Sequence, residues 1–185
     1  MIPSETLLML SSALREYKES EWESRGLREL PPKLAIFGKG KPDEGLTIPD
    51  SIISDLASGG RNLIQIIHHI SREMYNVWPD NRPDMVAIGV ESLGRKIPLG
   101  DPDIEYIKGD LAKDQSVNPA SDVSNFLTVA VASDDLVGGC DVQTALLEYH
   151  YCDGGVIEWK DPLFTVDTSG PMSDALQGFF QREDA

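Results

Sequence analysis

Leu7, Leu10, Leu14 and Tyr17 recur at steps of three and four residues near the start of the chain. That spacing places them on one face of a helix. Ser4 stands ahead of them as a good N-cap, so the pattern predicts a helix from about Ser4 to the glutamates near Glu23. Arg15 and Glu19 lie one turn apart on its outer side, at the spacing of an ion pair. Pro31 and Pro32 end it, and the apolar run Lys33 to Phe37 predicts a strand. GKGKPDEG then reads as a loop. IPDSIISDLASGG predicts a short helix opened by Pro49 and closed at Gly59 and Gly60. A longer helix is predicted from about Arg61 to Trp78, with Leu63, Ile66, Ile67, Ile70, Met74 and Val77 as its apolar stripe.

Beyond residue 83 the apolar positions take on the character of strands. Asp84 to Glu91 predicts one, with Ser92-Leu93-Gly94 as a turn and RKIPL as a return strand kept to a sheet edge by Pro98. Asp101 to Ser124 is a long polar segment with a short strand predicted at Ile104 to Ile107. Phe126 to Ala132 and Leu163 to Val166 are further strands. Pro171 opens a last helix that buries Met172, Leu176, Phe179 and Phe180. Helices early and antiparallel strands late predict an α+β fold. The expected arrangement is a mainly antiparallel sheet of about five strands, mostly in the C-terminal half, with helices packed on one face. Residues 1–185 show no repeat and no linker, so one domain is expected.

The stretch LLEYHYCDGGVIEWKD, Leu146 to Asp161, predicts a hairpin. A three-residue loop Asp153-Gly154-Gly155 pairs Tyr151 with Ile157, His150 with Glu158, Tyr149 with Trp159 and Glu148 with Lys160. One face then carries Leu147, Tyr149, Tyr151, Ile157 and Trp159; the other carries Glu148, His150, Cys152, Glu158 and Lys160. A two-residue loop would mix polar and apolar positions on both faces, and register follows the segregated pattern. The polar face has metal-ligand residue types. Alternate positions on a flat strand stand about 6.5–7 Å apart at the backbone, wider than a compact zinc site favours. The hairpin reading therefore leads, and no metal or other cofactor is expected.

Charge narrows the choice of partner. The chain has 185 residues, a net charge of −15 and an isoelectric point near 4.4. So acidic a chain repels phosphate backbones and anionic lipid, which excludes nucleic acid and membrane surfaces as expected partners. No run of 18 apolar residues is present, and the N-terminus lacks the basic start of a signal peptide; a cytoplasmic chain is expected. Cys140 and Cys152 are too few for a disulfide framework and are expected to be reduced thiols.

Other fragments fall short of the templates they imitate. His69 and Glu73 stand one turn apart, but HHISRE lacks the histidine spacing of a zinc helix, and His68 and His69 flank the apolar stripe on opposite sides. GVESLGRK has the glycines of a phosphate loop and continues into Ile97-Pro98, where such a loop needs a helix. DPDIE begins like a calcium loop, but Tyr106 stands at the glycine position and Ala112 at the closing glutamate. VDTSG resembles an aspartic-protease turn interrupted by Ser169. The leading expectation is therefore a non-enzymatic acidic binding or regulatory protein, inhibitor-like or immunity-like, that docks a basic protein. Asp101, Asp103, Glu105, Asp110 and Asp114 are its expected contact residues. Two alternatives are a metal-assisted hydrolase built on Glu148, His150, Cys152 and Glu158, and a homo-oligomer assembled through Leu7, Leu10, Leu14 and Tyr17.

Overall fold

The first helix, α1 (Glu5–Arg25), begins where its cap predicts: the Ser4 hydroxyl accepts the Leu7 N–H at 3.2 Å. Gly26, at φ +62°, ends it in a left-handed turn whose N–H returns to Glu21 and Trp22 carbonyls. The computed structural model describes residues 3–38, 45–77, 83–95, 123–133, 142–167 and 170–180. The remaining elements, in chain order, are β1 (Lys33–Phe37), β2 (Gly45–Thr47), α2 (Asp50–Ser58), α3 (Leu63–Val77), β3 (Met85–Arg95), β4 (Val123–Ser133), β5 (Val142–Tyr151), β6 (Ile157–Trp159), β7 (Leu163–Asp167) and α4 (Pro171–Gln177).

The strands form one antiparallel sheet in the order β2-β1-β3-β4-β5. The far side of β5 is shared end to end: β7 pairs with Val142–Leu146 and β6 with Tyr149–Tyr151. The α+β class and the antiparallel sheet follow the sequence pattern. The distribution of helices does not. Leu34, Ile36, Val86, Ile88, Ala130, Ala132 and Val142 face α2, α3 and α4. Ala35, Phe37, Met85, Ala87, Val129, Val131 and Ala145 face the opposite way, and Leu7, Leu10 and Leu14 of α1 pack there. Helices therefore cover both faces of the sheet rather than one. The reason lies in β1, β3 and β4, which are apolar at consecutive positions, as strands buried on both sides must be.

Two local readings also change. Ser92-Leu93-Gly94 continue β3 instead of turning, pairing with Phe126, Asn125 and Ser124. Gly94 is there because the Phe126 ring takes its place: a β-carbon would stand 2.6 Å from that ring. β2 begins at Gly45, the last residue of the stretch read as a loop, and pairs Gly45–Thr47 with Ala35–Phe37 as a short, exposed edge strand. Of the predicted strand RKIPL only Arg95 is described, as the end of β3; its remainder and Ile104–Ile107 lie outside the described residues, as does Cys140.

At β3 the sheet and α1 meet closely. A β-carbon on Gly89 would stand 2.4 Å from Leu14 Cδ2, so glycine at this position lets the helix seat. The N–H of Ser4 donates to Gln143 Oε1 at 2.9 Å and ties the start of the same helix to β5.

Candidate functional site

The hairpin between β5 and β6 has the three-residue loop that its pattern predicts. Cys152 N–H donates to Val156 O at 2.9 Å and Gly155 N–H to Cys152 O at 3.2 Å. Tyr149 pairs with Trp159, His150 with Glu158 and Tyr151 with Ile157. Both Gly154 (φ +88°) and Gly155 (φ +78°) take the left-handed conformation, which is why two glycines stand there.

The register puts Glu148, His150, Cys152 and Glu158 on one face, yet they do not converge. Glu148 is buried, and its Oε1 accepts from Ser124 Oγ at 2.7 Å and Lys160 Nζ at 2.9 Å. His150 Nε2 lies 3.4 Å from the same oxygen rather than against Glu158. The Glu158 carboxylate is engaged elsewhere, accepting from the Cys152 thiol at 3.3 Å. The set thus divides into two separate pairings. Among the described residues no three His, Cys, Asp or Glu side chains gather closely enough to hold an ion.

Cys152 is exposed, and its thiol pKa is raised first by the hydrogen bond to Glu158, then by desolvation and by the charges of Glu158 and Asp153. A raised pKa keeps the thiol protonated near neutrality, where it is a poor nucleophile. Alkylation of Cys152 by iodoacetamide at neutral pH should accordingly run slower than that of a free cysteine. Glu158→Gln should speed it several-fold, measured by mass spectrometry of the peptide that carries Cys152.

The opposite face of the hairpin is aromatic and meets α1. Tyr149, Tyr151 and Trp159 pack with ring centroids 5.0–5.5 Å apart, and Trp22 lies 4.5 Å from Tyr151. Trp22 Nε1 donates to Gly155 O at 2.5 Å and Trp159 Nε1 to Glu19 Oε1 at 2.6 Å, so the helix is bolted to the hairpin at two indoles. Arg15 pairs with Glu19 as the spacing predicts, at 3.6 Å, and lies over the Trp159 ring.

Beneath these rings lies a feature that sequence reading missed. Lys18 is wholly buried, and its Nζ donates to Glu91 Oε1 at 2.6 Å and to Arg28 O at 2.5 Å. Glu91 Oε2 accepts the Leu30 N–H at 2.5 Å, and Tyr151 OH donates to Arg28 O at 2.7 Å. The ammonium lies 5.3 Å from the Tyr149 ring and 5.6 Å from that of Tyr151. Burial raises the Tyr151 pKa against the opposing pull of Lys18, so this hydroxyl stays a donor. The signal was present: Lys18 continues the stripe Leu7, Ser11, Leu14, and Glu91 shares the inward face of Ala87 and Gly89. Tyr149 OH is buried without a hydrogen-bond partner.

Along the other flank of α1 the packing stops short. An open apolar groove of about 340 Å³ runs between the helix and β1–β3, lined by Leu10, Ala13, Leu14, Tyr17, Ala35, Ala87, Gly89 and Val129. Lys33 and Thr47 border it. Lys33 is held by Asp50 at 2.6 Å and lies 5.2 Å from the Tyr17 ring. The stripe expected to be a self-association face is therefore divided: Leu7 is buried on the sheet, while Leu10, Leu14 and Tyr17 are half-buried beside this groove. Asp101, Asp103, Glu105, Asp110 and Asp114 lie outside the described residues.

No family model, curated protein or solved structure matches the chain. No helix among the described residues is long and apolar enough to cross a membrane.

Proposed function

We propose that this chain is a non-enzymatic acidic binding protein that docks a basic protein partner. The observation that carries the reading is how its charges are distributed. Arg15, Lys18, Arg25, Lys33 and Lys160 are each paired with a carboxylate of the same chain. Glu5, Glu16, Glu23, Glu29, Asp55, Glu73, Asp153, Asp161 and Asp174 are exposed and form no ion pair among the described residues. Arg28, Arg61 and Arg72 are the exposed cations without an ion pair among the described residues, so unpaired carboxylates outnumber unpaired cations on the described surface. Such a surface accelerates encounter with a positively charged partner and repels acidic ones.

The test is retention of proteins from a cell extract on the immobilised chain. The expected result is a basic protein that is held at low salt and released at moderate salt, because surface charges are screened beyond about 10 Å at 0.1 M. Retention of no basic protein, or retention that ignores salt, would overturn the reading.

A further inference from the structure

We infer that the groove beside α1 receives the apolar stripe of a basic amphipathic helical segment, an inference that rests on the acidic-docking reading above. Leu10, Ala13, Leu14 and Tyr17 make the helix wall, and Ala35 and Ala87 make part of the floor. These floor side chains are small, so open space remains beside Leu10 and Leu14 where they pack on the sheet. Wall and floor are both apolar, which suits an anchor of the leucine or phenylalanine kind in a helix-in-groove contact.

The charge pattern specifies the rest of the occupant. At 3.6 residues per turn, Glu5, Met9 and Glu16 stack along one ridge of α1, directly outside Ala13 on the groove side. All of these side chains are exposed, Met9 at 52%, and neither glutamate has an ion-pair partner among the described residues. On the far border Lys33 is neutralised by Asp50, leaving no unpaired cation along the groove among the described residues. An apolar trough under an acidic ridge matches a helix with leucines on one side and lysines or arginines on the other. Met9 on the ridge supplies a flexible, polarisable contact of the type used where an apolar stripe must be accommodated.

The experiment titrates the full chain into a dye-labelled leucine–lysine peptide whose leucines fall at helical spacing, read by fluorescence anisotropy. A second peptide has the same composition with the leucines scattered. The amphipathic peptide should bind about tenfold more tightly than the scattered one. Ala13→Trp, which plugs the groove from an exposed helix position, should cost about tenfold in affinity for the amphipathic peptide. Ser54→Trp, at an exposed position of α2 on the other face of the sheet, should leave that affinity unchanged. Thermal unfolding of both variants confirms that they fold. Equal affinity for the two peptides, indifferent to Ala13→Trp and lost with salt, would overturn the groove while leaving acidic docking standing. Binding of neither peptide at low salt would overturn both. A chain that sediments as a dimer and becomes a monomer on Ala13→Trp would give the groove to a second copy and overturn the inference.

Discussion

Glu91→Gln is expected to destabilise the fold by about 3–5 kcal/mol, because it strands the Lys18 ammonium in a site with no solvent access. The mechanism is desolvation. An isolated charge this deep loses its hydration, and a carbonyl with two ring faces replaces only part of it. Glutamine still offers an oxygen to the Leu30 N–H, so the loss isolates the charge rather than the whole hydrogen-bond set. Lys18→Met removes the stranded charge and leaves Glu91 still accepting from Leu30. Lys18→Met combined with Glu91→Gln should therefore cost less than the sum of the two single changes, since neither charge is then buried alone. Urea denaturation followed by far-UV circular dichroism checks this, read as a lowered midpoint at unchanged slope. Additive costs in the double variant would mean that the two side chains act separately.

The second large effect concerns the two faces of the sheet. Leu7→Ala and Ile67→Ala should each cost about 2–5 kcal/mol, since both side chains are wholly buried and truncation leaves a cavity in each case. Leu7 packs under α1 with Val129, Val131 and Ala145, and Ile67 packs under α3 with Leu34, Val86 and Leu176. The sheet separates the two clusters, so the double variant should lose the sum of the two costs to within about 0.5 kcal/mol. A fold with all helices on one face would place Leu7 and Ile67 in one shared core, where their truncations would couple. Additivity in the double variant therefore decides between the two arrangements.

Much of this architecture was legible because it rests on local pattern. Ser4 opens α1, Pro49 and Gly59 bracket α2, and the sorting of rings from charges fixes the loop at 153–155, whereas α1 ends at Gly26 and not at the prolines read as its stop. What escaped depends on contacts far apart in sequence. Lys18 and Glu91 each look like surface residues alone; only the crossing of α1 over β3 brings them together. Gly94 reads as a turn until the Phe126 ring is seen to need its space. The groove was out of reach for a related reason. It arises because Ala35 and Ala87 stay small beneath a helix wall, and neither alanine is distinctive in a strand. The hairpin histidine illustrates the reverse: its neighbours suggested a ligand set, and ordinary pairing with Glu148 accounts for its place.

Two triple charge reversals of equal net charge bear most directly on the proposed binding role. Glu16→Lys, Glu23→Lys and Asp153→Lys change α1 and the hairpin tip that Trp22 tethers to it. Asp55→Lys, Glu73→Lys and Asp174→Lys change the helices on the other side of the sheet. Retention of the salt-sensitive basic partner should fall at least about tenfold for the first set and little for the second. Equal loss in both would show that net charge alone governs retention, and would contradict a docking surface built along α1.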